Sequence, residues 1–235
     1  MKKSILTIAS MAIFGLTALA QKPADSPFSL EGVMNYSGGT GFDWQAPTLR
    51  ARYFVNDNIA GRLQIGLGDG LGTPMSESYS FYENGDGTGA VGTQDISRSA
   101  WNAQIGAEYH LSGTEKMSPY FALGVNFGGG NYAENWSQFD GASYAQGIDA
   151  DVSGDFSSLG VAVGAGMDYY IRESIYVGLE LGVNYASMTY SDVTTALSVT
   201  AAGTTTTTTG VTPGYSMNFL STGAGNAALR LGWRF

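Results

Sequence analysis

From Phe219 to Phe235 apolar and polar positions alternate. Phe235, Trp233, Leu231, Leu229, Ala227 and Phe219 share one face, while Arg234, Gly232, Arg230, Ala228 and Asn226 share the other. A period of two sustained over this length predicts a β-strand. Seven earlier stretches have the same pattern. Phe28, Leu30, Gly32, Met34 and Tyr36 oppose Ser29, Glu31 and Asn35; Leu49, Ala51, Tyr53 and Val55 oppose Arg50, Arg52 and Phe54. Ile59, Gly61, Leu63, Ile65 and Leu67 then alternate with Ala60, Arg62, Gln64 and Gly66. The fourth strand is expected over 101–111, with Asn102, Gln104, Glu108 and His110 on its polar face. Residues 120–127, 159–169 and 175–185 supply three more, the last two carrying Asp168 and Glu180 on the polar side.

The connections between these strands sort by length. Asn56-Asp57-Asn58, residues 112–119 and Arg172-Glu173-Ser174 read as short turns, since Asn and Asp tolerate left-handed backbone and bond to it locally. Residues 37–48, 68–97, 128–155 and 187–217 read as loops, the last three long. That alternation predicts an all-β fold: an eight-stranded antiparallel up-and-down barrel with both termini and the short turns at one rim and the long loops at the other.

Two features decide what surrounds such a barrel. Every strand charge lies on the polar face, and the opposite face is nearly charge-free. A soluble barrel keeps its apolar side inward and its charges outward, whereas hydrocarbon penalises an arginine at its midplane by roughly 2–4 kcal/mol. The apolar faces also end in aromatics. Phe28, Tyr53, Tyr109, Phe121, Tyr169, Trp233 and Phe235 stand at the expected periplasmic ends, and Tyr36, Trp101, Phe127, Tyr185 and Phe219 at the outer ends. Two such belts fit the two headgroup layers of a membrane.

Composition agrees with the pattern and adds exclusions. With 34 Gly, 25 Tyr and Phe, and 6 Pro, the chain is too aromatic for disorder and too rich in glycine for a helical fold. Cysteine is absent, which removes disulfides, thiolate metal sites and a lipidated anchor. Lys2 and Lys3 before the apolar run from Ile5 to Leu19, followed by Ala18-Leu19-Ala20, predict a cleaved signal peptide over residues 1–20. Without those two lysines the formal charge moves from −9 to −11, so nucleic acid is not an expected partner. Residues 21–27 are expected as a short periplasmic segment and 28–235 as the barrel.

The terminal LRLGWRF (Leu229 to Phe235) and this architecture resemble the eight-stranded bacterial outer-membrane barrels typified by the OmpA transmembrane domain and OmpX. The resemblance implies an outer-membrane location and contact with outer-membrane lipid and lipopolysaccharide. It also implies that the barrel insertion machinery recognises Leu229, Leu231, Trp233 and Phe235 as an assembly signal. OmpA itself continues into a peptidoglycan-binding domain; here the sequence stops at the closing strand, so cell-wall anchoring is not carried over. Inside so narrow a barrel, Glu31, Arg50, Arg52, Arg62, Arg98, Glu108, Asp168, Glu180, Arg230 and Arg234 are expected to form a paired charge network, with Glu31 the first candidate partner for Arg230 and Arg234.

No enzyme, cofactor or metal is expected. His110 is the sole histidine, beside Ser112 at the periplasmic end, away from the outer leaflet where lipid A chemistry would occur. Glu83 to Gly89 (ENGDGTG) and Asp149, Asp151 and Asp155 lack the full ligand series of a calcium loop, and Thr204 to Thr209 reads as a loop tip. The expected role is structural, surface-interacting or that of a subunit in a larger outer-membrane complex. The alternative is a narrow channel or carrier for small solutes, with a lipid A-modifying enzyme ranked third.

Overall fold

The computed structural model describes residues 26–37, 41–67 and 75–235. The expected signal peptide and most of the segment after it lie outside the described residues. The strands are β1 (Phe28–Ser37), β2 (Gly41–Phe54), β3 (Ile59–Leu67), β4 (Ser76–Tyr82), β5 (Val91–His110), β6 (Met117–Phe139), β7 (Tyr144–Tyr170), β8 (Ile175–Tyr190), β9 (Val193–Ala201), β10 (Thr204–Thr212) and β11 (Ser216–Arg234).

Eight of them close a ring in the order β1-β2-β3-β5-β6-β7-β8-β11, every neighbouring pair antiparallel. The seam joins β11 to β1, with Trp233 opposite Leu30 and Leu231 opposite Gly32. Closure removes both sheet edges, which an open sheet could not do in lipid. The period of two then sends each alternate residue to hydrocarbon or to the lumen. Leu123 and Leu231 are 60% and 57% exposed, while Glu31 and Arg52 are each 1% exposed. This inverts the distribution in a water-soluble protein. Short turns join the strands at the periplasmic rim; in the first, Asn56 Oδ1 accepts from the backbone N–H of Asn58 and of Ile59, each at 2.9 Å.

The long outer connections are themselves mostly strand, which is the main departure from the sequence reading. β5, β6 and β7 run on past the outer aromatic belt, β4 adds to β5, and the β9–β10 hairpin adds to β7. The result is a six-stranded sheet, β4-β5-β6-β7-β9-β10, standing above the barrel. Its rows explain why alternation does not reveal it. Ser80, Thr93, Ser137, Asp149, Ser198 and Thr207 lie side by side on the outward face, followed by Ser78, Asp95, Asn135, Asp151, Ala196 and Thr209. Outside lipid the outward face has no need of apolar residues, so the alternation loses its usual signature. The threonine run is thus β10, not a loop tip, with Ser198 and Thr207 hydroxyls 2.9 Å apart and Thr200 and Thr205 hydroxyls 2.8 Å apart.

Two smaller corrections follow from register. β2 begins at Gly41, so the loop expected over 37–48 shrinks. On β11 the pairing with β8 shifts between Gly223 and Ala228, which inverts the phase above that point. Phe219 therefore sits opposite Ala186, a lumen-lining residue, and Leu220 instead shares the outward phase of Tyr185. Ala227, expected on the lipid face, is buried.

Candidate functional site

The lumen at the periplasmic half is filled by charge. Arg50, Arg52, Arg62 and Arg230 face Glu31, Glu108, Asp168 and Glu180, all buried. Each arrives by the same route: an inward position on a ring strand, one or more residues from an outward apolar partner. β6 contributes Tyr120 and Ser118, so every ring strand supplies at least one member.

Arg52 is the hub. Its Nη1 lies 2.9 Å from Glu108, its Nη2 lies 2.8 Å from both Glu31 and Asp168, and its Nε donates to Ser29 Oγ at 3.1 Å. The Nη2 contacts miss hydrogen-bonding alignment, so Arg52 holds those two carboxylates by Coulomb attraction rather than by directional bonds. Arg230 bridges the same pair, at 2.9 Å from Glu31 and 2.7 Å from Asp168. A second group forms around Glu180, which takes Arg50 at 2.8 Å and Arg62 at 3.0 Å and accepts from Tyr120 Oη at 2.5 Å. Arg62 also lies 3.5 Å from Glu108, linking the groups. Tyr176 donates to Glu31 at 2.6 Å.

Glycine makes room where these long side chains cross the lumen. A Cβ on Gly232 would lie 2.1 Å from the Tyr176 ring, and one on Gly178 would lie 2.5 Å from Arg230. Such a network, with equal numbers of both signs, specifies one closed arrangement more than it adds stability, because burying each ion costs about what the pairing returns.

Eight of the ten expected network residues meet here, and two do not join the ion pairs. Arg98 has the inward phase but lies above the outer belt, where it pairs with Glu77 on β4. Arg234 is buried at the rim without reaching Glu31. It donates to the Ser26 carbonyl at 2.6 Å and to Tyr170 Oη at 3.4 Å and stacks over Phe54 at 3.9 Å. The Arg230–Glu31 pairing is as expected.

His110 is fully buried between Glu108, 3.1 Å from its Nε2, and Ser118, 2.8 Å from its Nδ1. Ser118 rather than Ser112 is its hydroxyl neighbour, a pairing across the β5–β6 turn that sequence proximity to Ser112 conceals. The three together have the composition of a nucleophile, base and orienting acid, but none is accessible to a substrate.

Carboxylates in the outer sheet are engaged locally. Glu134 accepts from Tyr132, Trp136 and Gln94; burial pushes its carboxyl up, and these three donors outweigh that and hold it below the ordinary value. Burial and the same Glu134 contact push the Tyr132 phenol up to about 12. Asp86 accepts the Thr88 hydroxyl at 2.6 Å and its N–H at 3.0 Å, which lowers its pKa. Among the described residues no His, Asp and Glu side chains converge into a set that could hold a metal ion.

The expected assembly residues line the outside of the seam. Leu229, Leu231, Trp233 and Phe235 all face outward, and Phe235 exchanges backbone bonds with Phe28 at 2.8 and 3.1 Å. Deleting Phe235 removes both bonds and its ring contact with Phe28. A stability loss of about 1–3 kcal/mol is expected from two such bonds. The fraction that migrates as folded protein on unheated SDS gels should fall, and an unchanged fraction would show that the last rung is dispensable.

A closed antiparallel ring with a charged lumen, a lipid-facing apolar band and two aromatic girdles defines an outer-membrane β-barrel. Residues 45–198 match the model of the OmpA-OmpF-like porin family, and the chain belongs to that family. Among solved structures it is similar to a major outer-membrane protein from Thermus thermophilus, at 18% identity over 90% of this chain and 100% of the other, with a TM-score of 0.42. It is also similar to OprG from Pseudomonas aeruginosa, at 14% identity over 92% and 99% of the two chains and a TM-score of 0.38. Ail, the attachment invasion locus protein of Yersinia pestis, gives 13% identity over 91% and 99%, with a TM-score of 0.32. No curated protein sequence matches the chain.

Proposed function

We propose that this protein is a non-conducting, non-enzymatic barrel that anchors a rigid β-sheet at the cell surface for structural or interaction purposes. The observation that carries the reading is the lumen network. Arg50, Arg52, Arg62 and Arg230 with their four carboxylates fill the periplasmic half, each 8% exposed or less, with Tyr120, Tyr170 and Tyr176 packed around them. The outer sheet supports the second half of the reading. It continues ring strands without a hinge, and its strands carry six Asp and Glu, with four more in the described connections beside them, against one cation, Arg98. Such a surface suits uncharged or cationic partners and disfavours nucleic acid. Outer-membrane lipid, lipopolysaccharide and the insertion machinery are partners in this reading, and a larger membrane complex is a further one. The inaccessible Ser118–His110–Glu108 group supports the absence of catalysis.

Planar-bilayer recording of the purified protein tests the seal. Wild type should give no unitary conductance, and steady openings in wild type would overturn the reading. A second reading, passage of small solutes as the family name suggests, is favoured by the lumen above the network, which is open from outside. Conductance that appears in wild type and rises in Glu108→Ala would support it.

A further inference from the structure

Above the floor made by Arg50, Arg62 and Glu180 the lumen holds two joined cavities that the surface role leaves unused. The lower, about 450 Å³, is lined by the carboxamides of Gln64, Gln104, Asn126 and Asn184. Beside Asn126 and Asn184, Gly160, Ala162 and Gly164 on β7 and Gly182 on β8 keep the wall short. The amides are chained: Gln104 Nε2 donates to Asn126 Oδ1 at 2.6 Å, and Asn126 Nδ2 donates to Asn184 Oδ1 at 2.8 Å. Gln104 Oε1 is left without a partner.

The upper cavity, about 560 Å³, has a different chemistry. Its walls are mainly apolar, from Ala100, Tyr132, Phe156, Met188, Tyr190 and Val193. Asn102, Ser158 and Met188 line both spaces, so one passes into the other.

We propose that this two-level lumen binds a small amphiphile: an uncharged, hydroxylated head of about one sugar ring in the amide well, carrying a short aromatic or alkyl group in the apolar vestibule. Three arguments select that class. An amide both donates and accepts, as a hydroxyl does, so a chain of amides suits a polyhydroxylated head. The floor charges are already paired at 2.8 and 3.0 Å, and a charged head would have to displace one of them or enter unpaired. Each volume falls in the range of small-molecule sites, and the vestibule offers aromatic faces to a group that cannot form hydrogen bonds.

The test uses the full-length protein in phospholipid nanodiscs with phenyl β-glucoside, glucose, benzyl alcohol and phenyl phosphate as probes, read by calorimetry against empty nanodiscs. Phenyl glucoside should bind about tenfold more tightly than glucose or benzyl alcohol, a gap equal to one well-made hydrogen bond or one seated ring. Asn126→Leu should weaken phenyl glucoside by about tenfold and leave benzyl alcohol unchanged. Phe156→Ala should weaken both and leave glucose unchanged. Phenyl glucoside binding no better than benzyl alcohol would reduce the site to an apolar vestibule and overturn the proposal. Tighter binding of phenyl phosphate would overturn the uncharged head, and equal heats with empty nanodiscs would show partitioning alone. The order of the probes on wild type decides the matter even if a variant fails to fold.

Discussion

Arg52→Ala should lower the unfolding free energy of the barrel by roughly 3–5 kcal/mol, the range for breaking a buried ion pair from one side. The reason is what stays behind. Glu31, Glu108 and Asp168 converge on Arg52 within 2.9 Å, and alanine leaves three carboxylates facing one another around a space emptied of its cation. Arg230 can still reach Glu31 and Asp168, but Glu108 keeps only His110 and the more distant Arg62. Urea titration of micelle-refolded protein, followed by tryptophan fluorescence, measures the loss. Adding Glu108→Gln to the Arg52→Ala variant should restore part of it, because the neutral amide lightens the repulsion. A loss below about 1 kcal/mol would mean that water enters and rehydrates the site, and the lumen would then be less sealed than its geometry indicates.

The second large effect lies on the opposite face. Leu181→Arg should destabilise the folded barrel by roughly 2–4 kcal/mol in a bilayer, since Leu181 stands near mid-height of β8 between Ile175 and Tyr185. Thr209→Arg on the exposed strand β10 is the control, expected within about 0.5 kcal/mol of wild type. The contrast separates a lipid-facing band from a surface that merely exposes leucine to water. Equal effects at the two positions, measured by urea unfolding from phospholipid bilayers, would remove hydrocarbon from around Leu181.

What can be read from the sequence is what a period of two controls. Arg50, Arg52, Arg62, Glu108, Asp168, Glu180 and Arg230 are inward because each has Leu, Tyr or Met beside it on the outward phase, and one-dimensional alternation captures that. Which carboxylate meets which arginine depends on distances across the lumen, between strands remote in sequence; the pairing of Glu180 with Arg50 is invisible for that reason. Arg98 departs from the expected network because inward phase continues above the membrane while the surroundings change. Phe219 departs from the expected lipid face because strict alternation cannot register a shift between Gly223 and Ala228. The outer strands escape notice for a third reason, since the many Ser and Thr in β4, β9 and β10 satisfy a sheet whose outward face meets water but look like a loop by composition.

The seam has a consequence for the order of folding events. Glu31 and Arg230 are 199 residues apart, and they meet only when β11 docks on β1. Until then the chain is an open sheet whose guanidiniums and carboxylates must remain hydrated, so partial assemblies of the first seven ring strands gain little from the network. Contacts of such long range make closure slow, because the cost of bringing the ends together precedes the reward. The ring therefore forms late and all at once, and unfolding should begin by unzipping the β1–β11 pair, where water first regains the charges.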